Sequence, residues 1–299
     1  MERRDFVKTA GIGAIAATAL SKQALAAGSG DKKFRISIAA WSMHKAFFAG
    51  EMTMMQQPEF CASVGVHGLE LVNRFFESPQ YGYLQKFLKV CEDNDVKPLL
   101  IMCDDEGDMA AEDKKFRMQS AKNHHKWVDI AEVLGCHSIR CNSGHGQAGD
   151  KDAVKRAAES FSELCDYAAQ AGINVIIENH GGLSSHPEDL ISLMKAVGKP
   201  NFGTLPDFGN FPDDVNKYDA VREMMPYAKA VSAKSHDFDD LGNEAHTDFR
   251  RMMRIVLDSG YRGWVGIEYE GDKLNESEGI LHTKWLLEQV QAEFAPLYA

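Results

Sequence analysis

Four stretches of the chain end an apolar run on a side chain that can hold a metal ion. Val175-Ile176-Ile177 leads into Glu178, "GTLPDFGN" into Asp207, "VSAKSHDF" into His236 and "WVGIEYEG" into Glu268. The intervals between these residues are 29, 29 and 32 positions, each about one β/α unit. Three carboxylates and one imidazole suit a single hard or borderline divalent ion, Mn²⁺, Mg²⁺, Co²⁺ or Zn²⁺, with coordination positions left for substrate oxygens. Without a cation, three converging carboxylates would repel one another strongly.

Such residues meet only if the fold brings the strand ends together. From Phe34 onward, short apolar or β-branched runs alternate with amphipathic segments. The strands are expected at Phe34–Trp41, Gly68–Val72, Lys97–Cys103, Ser138–Cys141, Asn174–Ile177, Phe202–Leu205, Lys229–Lys234 and Trp264–Ile267. Between them, Asp152–Ala171 carries Val154, Ala157, Ala158, Phe161, Leu164, Cys165 and Ala168 at helical spacing, and Asp248–Ser259 is closed by Gly260. Eight strand–helix alternations predict an α/β (β/α)8 barrel, with a doubly wound open sheet as the alternative. Residues 27–299 read as one barrel domain. In a barrel, a polar residue where an apolar strand stops projects into the mouth, where chemistry is done.

Composition narrows the partners. The chain of 299 residues has a formal net charge of -11, which disfavours nucleic acid and anionic membrane. Residues 1–26 read as a twin-arginine export signal: Arg3-Arg4-Asp5-Phe6-Val7-Lys8, an apolar run from Thr9 to Leu20, then Ala24-Leu25-Ala26 as a small-residue cleavage site. Its removal leaves a charge near -13, and no later segment approaches a membrane span. A periplasmic location follows. Export after folding would let a metal site assemble before the protein leaves the cytoplasm. Cys61, Cys91, Cys103, Cys136, Cys141 and Cys165 form no Cys-x-x-Cys pair and read as buried thiols, with a disulfide left open by the oxidising compartment.

The "IENHGG", "LPDFGN" and "GIEYEG" stretches, in a chain of this pattern, resemble the xylose isomerase-like TIM barrels. This superfamily holds sugar isomerases and epimerases, inosose dehydratases and endonuclease IV-type enzymes. The resemblance implies that Glu178, Asp207, His236 and Glu268 are the metal ligands at the ends of strands five to eight. Ketose 3-epimerases of the superfamily commonly carry His three residues after the aspartate, where this chain has Asn210. It implies a sugar isomerase or epimerase: a metal holding a carbonyl or hydroxyl oxygen acidifies the adjacent C–H, and Glu178 and Glu268 remove and return the proton. Lys234 shares strand parity with His236 and is expected to point inward, as an oxyanion or proton donor or as a balance for the carboxylates.

Around the mouth, Glu70 ends strand two as a candidate substrate hydrogen-bonder, with Asn73 beyond it. His44 follows strand one, His145 strand four, and His180 lies two beyond Glu178. Arg140, in parity with Asn142, reaches a substrate oxygen or forms a buried ion pair. Trp41, Phe75 and Phe208 are candidate pocket walls, and His124 reads as a core histidine. "GHGQAG", Gly144–Gly149, fits a dinucleotide fingerprint, but the next helix begins Asp150-Lys151-Asp152, placing acids where a pyrophosphate would sit. A glycine-rich loop at the mouth is the simpler reading. Two further functions remain beside the isomerase. One is a lyase or dehydratase acting on a keto-sugar, keto-inositol or 3-keto-glycoside, where the same enediolate expels a β leaving group. The other is a sugar-binding protein without catalysis. Self-association into a homo-oligomer stays open.

Overall fold

In the computed structural model, which describes residues 33–298, eight parallel strands curl into a barrel with helices outside. The strands are β1 (Arg35–Ala39), β2 (Gly68–Val72), β3 (Lys97–Cys103), β4 (Ser138–Cys141), β5 (Asn174–Glu178), β6 (Phe202–Leu205), β7 (Val231–Ser235) and β8 (Trp264–Tyr269). The α-helices are α1 (His44–Phe48), α2 (Gln57–Ser63), α3 (Tyr81–Asp93), α4 (Lys114–Asn123), α5 (His125–Leu134), α6 (Lys151–Gln170), α7 (Pro187–Val197), α8 (Lys217–Met224), α9 (Phe249–Asp258) and α10 (Glu276–Phe294). The export signal expected at residues 1–26 lies outside the described residues. Among those described, no helix is long and apolar enough to cross a membrane.

Regular ladders run in the order β6-β5-β4-β3-β2-β1-β8-β7, and single parallel bridges, Thr204 to Ala228 and Asp207 to Ser232, join the two ends. Proline explains the sparse seam: Pro206 has no N–H to give, and only its carbonyl takes part, accepting from Ser232 N at 2.9 Å. Asp207 therefore sits on the seam itself. The strand residues are nearly all buried, as expected for a parallel sheet covered on both faces, but the buried set includes the polar and charged side chains Ser37, Glu70, Arg140, Ser232 and Lys234 beside the apolar ones.

The strand boundaries depart from expectation mainly where side chains replace main-chain pairing. Strand β1 stops at Ala39 rather than Trp41, and Ala40–Met43 turns into a 3-10 helix. There the Ser42 hydroxyl donates to Ile267 O at 3.0 Å and accepts from Tyr269 N at 2.9 Å, occupying β8's edge in place of a strand. Helix ends follow their caps. Asp150 accepts from Asp152 N and Ala153 N at the start of α6, so the first-turn N–H groups after the glycine-rich loop are already used by the chain's own carboxylate. Asp248 likewise caps α9, which ends before Gly260 at a φ of 85°. All six cysteines are buried and free.

One glycine is required by packing. A Cβ on Gly266 of β8 would lie 2.4 Å from Glu70 Oε1, so the absent side chain is the space in which the Glu70 carboxyl lies. Gly266→Ala should lower unfolding free energy by about 1–3 kcal/mol through this overpacking. Urea denaturation measures it, and an unchanged midpoint would contradict the placement of Glu70.

Candidate metal centre and active site

The ends of β5 and β8 and the β6–β7 seam bring three carboxylates together. Glu178, Asp207 and Glu268 are buried, and each offers an oxygen within 4.8 Å of the others. Each is held in place by neighbours from another strand. Glu178 Oε1 accepts from Asn210 Nδ2 at 2.9 Å, and its Oε2 lies 3.0 Å from Arg140 Nε. Asp207 Oδ1 accepts from the backbone N–H groups of Gly209 and Asn210, both at 2.8 Å, while Asn179 clasps the Asp207 backbone from the adjacent strand. The Ser232 hydroxyl lies 2.6 Å from Asp207 Oδ2 and 3.0 Å from Glu268 Oε2. One hydroxyl proton is thus shared between two carboxylates.

Two cations answer this charge. Lys234 Nζ lies 3.3 Å from Glu268 Oε1 and 3.3 Å from Glu270 Oε2, and donates to Asn210 Oδ1 at 2.9 Å. Arg140 also reaches Asp104 Oδ1 at 2.8 Å. Burial alone would pull both bases down, but Glu268, Asp207 and Glu178 around Lys234, and Glu178 and Asp104 around Arg140, raise them instead. The region nonetheless holds six carboxylates, Glu70, Asp104, Glu178, Asp207, Glu268 and Glu270, against these two cations. The surplus is visible in proton affinity. Glu178 and Asp207 are both held above the ordinary carboxylate range, by desolvation first and then by the charge of Glu268, with the charge of Asp207 adding to the rise at Glu178.

The residues present fit a divalent ion. The donor set is all oxygen, buried and in excess of its internal counter-charge. Moreover, Glu178 Oε2 has no hydrogen-bond partner, although Arg140 Nε is close, because the two are not aligned for a bond. A buried carboxylate oxygen with a free lone pair beside two others is what a metal ligand requires.

The other candidates separate into groups. His236 stands just past the end of β7 and outside the set of three: its backbone N–H donates to Glu244 Oε1 at 3.2 Å, and its ring lies 6.0 Å from that of His246. Glu70 is corrected from the strand end to mid-strand, because β2 continues to Val72. It lies fully buried, accepting from Ser37 Oγ at 2.6 Å with Oε2 unpartnered. Asn73 takes the rim position instead, paired with the Asp104 backbone. Arg140 is engaged in the buried ion pairs, and Asn210 bridges Glu178 to Lys234. His180 is exposed at the rim, within electrostatic reach of Arg140 and Lys234. His145 turns to solvent, its side chain 93% exposed and beside Asp108. His44 packs on Trp41, with Nδ1 2.8 Å from Trp41 O. Phe75 stacks on Phe47, Phe208 is buried against Phe249, and His124 is a buried histidine bonded to Ser120 O. Ser232, Asn179, Asp104 and Glu270 are the contributors that sequence reasoning did not pick out. Parity with Lys234 marks Ser232, parity with Glu268 marks Glu270, and Asp104 ends the apolar run Leu99–Cys103.

Burial raises the Glu70 carboxyl to about 7 from an ordinary 4.5, against the Ser37 hydrogen bond, with Glu268 adding to the rise. A carboxyl with a raised folded-state pKa binds its proton more tightly in the folded protein, so its contribution is complete below the unfolded value and is lost as pH climbs through about 7. In metal-free protein, Glu70→Gln should therefore flatten the loss of stability between about pH 5 and pH 8 by on the order of 2 kcal/mol. Equal slopes for variant and parent in denaturation at both pH values would contradict this.

Comparison with known proteins agrees with the architecture. The family model described as a xylose isomerase-like TIM barrel matches residues 58–289. A provisionally named hydroxypyruvate isomerase of Mus musculus is 29% identical over 175 residues, 53% of this chain and 63% of that protein's length. A fructoselysine 3-epimerase of Shigella flexneri is 23% identical over 191 residues, covering 60% of this chain and 68% of the relative. A solved D-tagatose 3-epimerase-like protein superposes with a TM-score of 0.73 at 15% identity, over 89% of this chain and all of that one.

Proposed function

Since the chain belongs to the xylose isomerase-like TIM barrel family, we propose that it is a divalent-metal-dependent isomerase or epimerase of a small carbohydrate. The observation that carries this reading is the buried convergence of Glu178, Asp207 and Glu268. The named relatives, an isomerase and an epimerase, support it at the level of reaction class. Glu178, Asp207 and Glu268 would hold the ion, with His236, half-buried just past the end of β7, as the fourth donor. The ion would polarise a substrate carbonyl and so acidify the neighbouring C–H.

The chain's own residues then move the proton. Glu178 on β5 and Glu268 on β8 are carried by strands well apart around the barrel, so they suit removal of a proton from one face of a carbon and its return to the other. Glu178, whose proton affinity burial raises, is matched to accept a proton from carbon and release it again. Asn210 fixes Glu178 Oε1, and Arg140 keeps its charge beside Oε2. Lys234 stays protonated and places positive charge beside Glu268, where an oxyanion on the substrate would be stabilised.

Incubating a panel of ketoses and keto-sugars with metal-loaded protein in D₂O tests this directly by NMR. One carbon should take up deuterium, with product otherwise unchanged in mass. Release of a leaving group with an unsaturated, ultraviolet-absorbing keto-sugar would instead assign a lyase, and binding without exchange a sugar-binding protein.

The location is proposed from the sequence pattern of residues 1–26 alone: Arg3-Arg4 with Phe6 and Lys8, the apolar run from Thr9 to Leu20, and Ala24-Leu25-Ala26. Replacing both arginines with lysine should leave precursor in the cytoplasm, and mature periplasmic protein from that variant would contradict twin-arginine export.

A further inference from the structure

Asp104, the first residue past β3, is a carboxylate at the mouth that the proposed proton transfer does not use. Its backbone is clamped: Asn73 Nδ2 donates to Asp104 O at 2.8 Å, and Asp104 N donates to Asn73 Oδ1 at 3.0 Å. Its Oδ1 accepts from Arg140 Nη1 at 2.8 Å and from Asn142 Nδ2 at 3.1 Å. Among the described residues, none donates to Oδ2. The side chain is 18% exposed and Oδ2 is not sealed from solvent, so this oxygen faces the open mouth.

The guanidinium that Asp104 holds also lies, through Nε, 3.0 Å from Glu178 Oε2, which places Asp104 beside the reacting centre. Arg140 is thus flanked by two carboxylates. Other cations around the mouth are matched in the same way: Lys234 by Glu268 and Glu270, Lys45 by Asp272, and Lys273 by Asp237. Backbone N–H groups that could cradle a phosphate are taken too. In (β/α)8 barrels the loops after strands seven and eight commonly hold one. Here Glu244 accepts from the N–H groups of His236, His246 and Thr247, and Glu276 from those of Lys45 and Ala46. Leaving Glu70 aside, Arg140, Lys234 and a divalent ion would set four positive charges against the five negative ones of Asp104, Glu178, Asp207, Glu268 and Glu270. An anionic substrate would meet net repulsion, with these cations and N–H groups already engaged.

We propose that Asp104 sets the charge of the substrate: Oδ2 accepts a hydroxyl of the carbohydrate while Oδ1 keeps Arg140 neutralised, so the site takes an uncharged polyhydroxy sugar and rejects its phosphate ester. The proposal rests on the carbohydrate reading of the same site and adds a specificity-determining residue to it. A hydrogen bond to a charged group corresponds to about tenfold or more in affinity, and like charges brought together to about a hundredfold.

Deuterium exchange by full-length, metal-loaded protein on ketopentoses and ketohexoses, each beside its terminal phosphate ester, tests it. Wild type should act on a free ketose with kcat/KM at least about a hundredfold above that for the phosphate. Asp104→Asn keeps an oxygen for Arg140 and turns the group facing the mouth from acceptor into donor. It should lower kcat/KM for the free ketose about tenfold, chiefly through KM, and raise that for the phosphate about tenfold, with metal content unchanged. Asp104→Ser, which also removes the charge, should move the ratio in the same direction. A phosphate ester that wild type turns over as well as the free ketose, or a ratio that neither variant moves, would overturn the role of Asp104 and leave the carbohydrate reading intact. If no sugar binds or exchanges at all, the carbohydrate reading falls and this inference with it.

Discussion

Glu178→Gln and Glu268→Gln should each lower turnover by about 10²–10⁴-fold, the usual contribution of a positioned acid or base. The amide keeps the shape of the side chain and removes the proton acceptor. Asn210 is well placed to hold the substituted side chain at position 178, since Glu178 Oε1 accepts from its amide at 2.9 Å and an amide oxygen accepts equally well. Deuterium wash-in separates the two roles. If the residues serve opposite faces of one carbon, either variant blocks net epimerisation, and the one that retains its base for a given substrate epimer still exchanges that epimer's proton. A variant keeping more than about a tenth of wild-type turnover would remove that glutamate from proton transfer. Because both residues are also in the proposed ligand set, metal content is measured alongside, and activity lost with the metal still bound identifies the base.

Removing the metal should produce the second large effect. A ligand at about 1,000 times its dissociation constant stabilises the folded state by about 4 kcal/mol. For a domain of this size, that is roughly 10 °C in Tm. Chelation should cost the protein this much, because Arg140 and Lys234 alone are left to face six carboxylates. Differential scanning calorimetry with and without chelator reads the shift, and no change in Tm would contradict a resident ion. The contribution of His236 is read in the same assay. His236→Ala should weaken metal retention more than Lys234→Ala, since the first removes a proposed ligand and the second removes a counter-charge.

The strands were legible because each is a short apolar run that stops on a polar or turn residue, and all eight expected segments coincide with the observed ones or overlap them within two residues at either end. Strand one stops two residues short of its expected end, since Ser42's hydroxyl takes over pairing with β8, a contact between residues 227 apart in the chain. The three carboxylates were legible for the same reason, as charges at the ends of apolar strands one β/α unit apart. His236 shows where that rule lapses. Strand β7 ends at Ser235, so alternation no longer dictates where the next side chain points, and Glu244 takes its backbone N–H. Asn179's clasp on Asp207 depends on neighbouring strands in register, which no single segment displays. Asp104 and Glu270 obey rules already applied to other strands, and their partners Arg140 and Lys234 show why they are there.

The central claim is that Glu178, Asp207 and Glu268 share one divalent ion. Anomalous diffraction from crystals of Mn²⁺-loaded protein tests it most directly. The account predicts one strong peak in the barrel mouth, in contact with all three carboxylates and absent from chelated crystals. A mouth without a peak, with Lys234 and Arg140 still paired to Glu268 and Glu178, or a peak held by other residues, would contradict it.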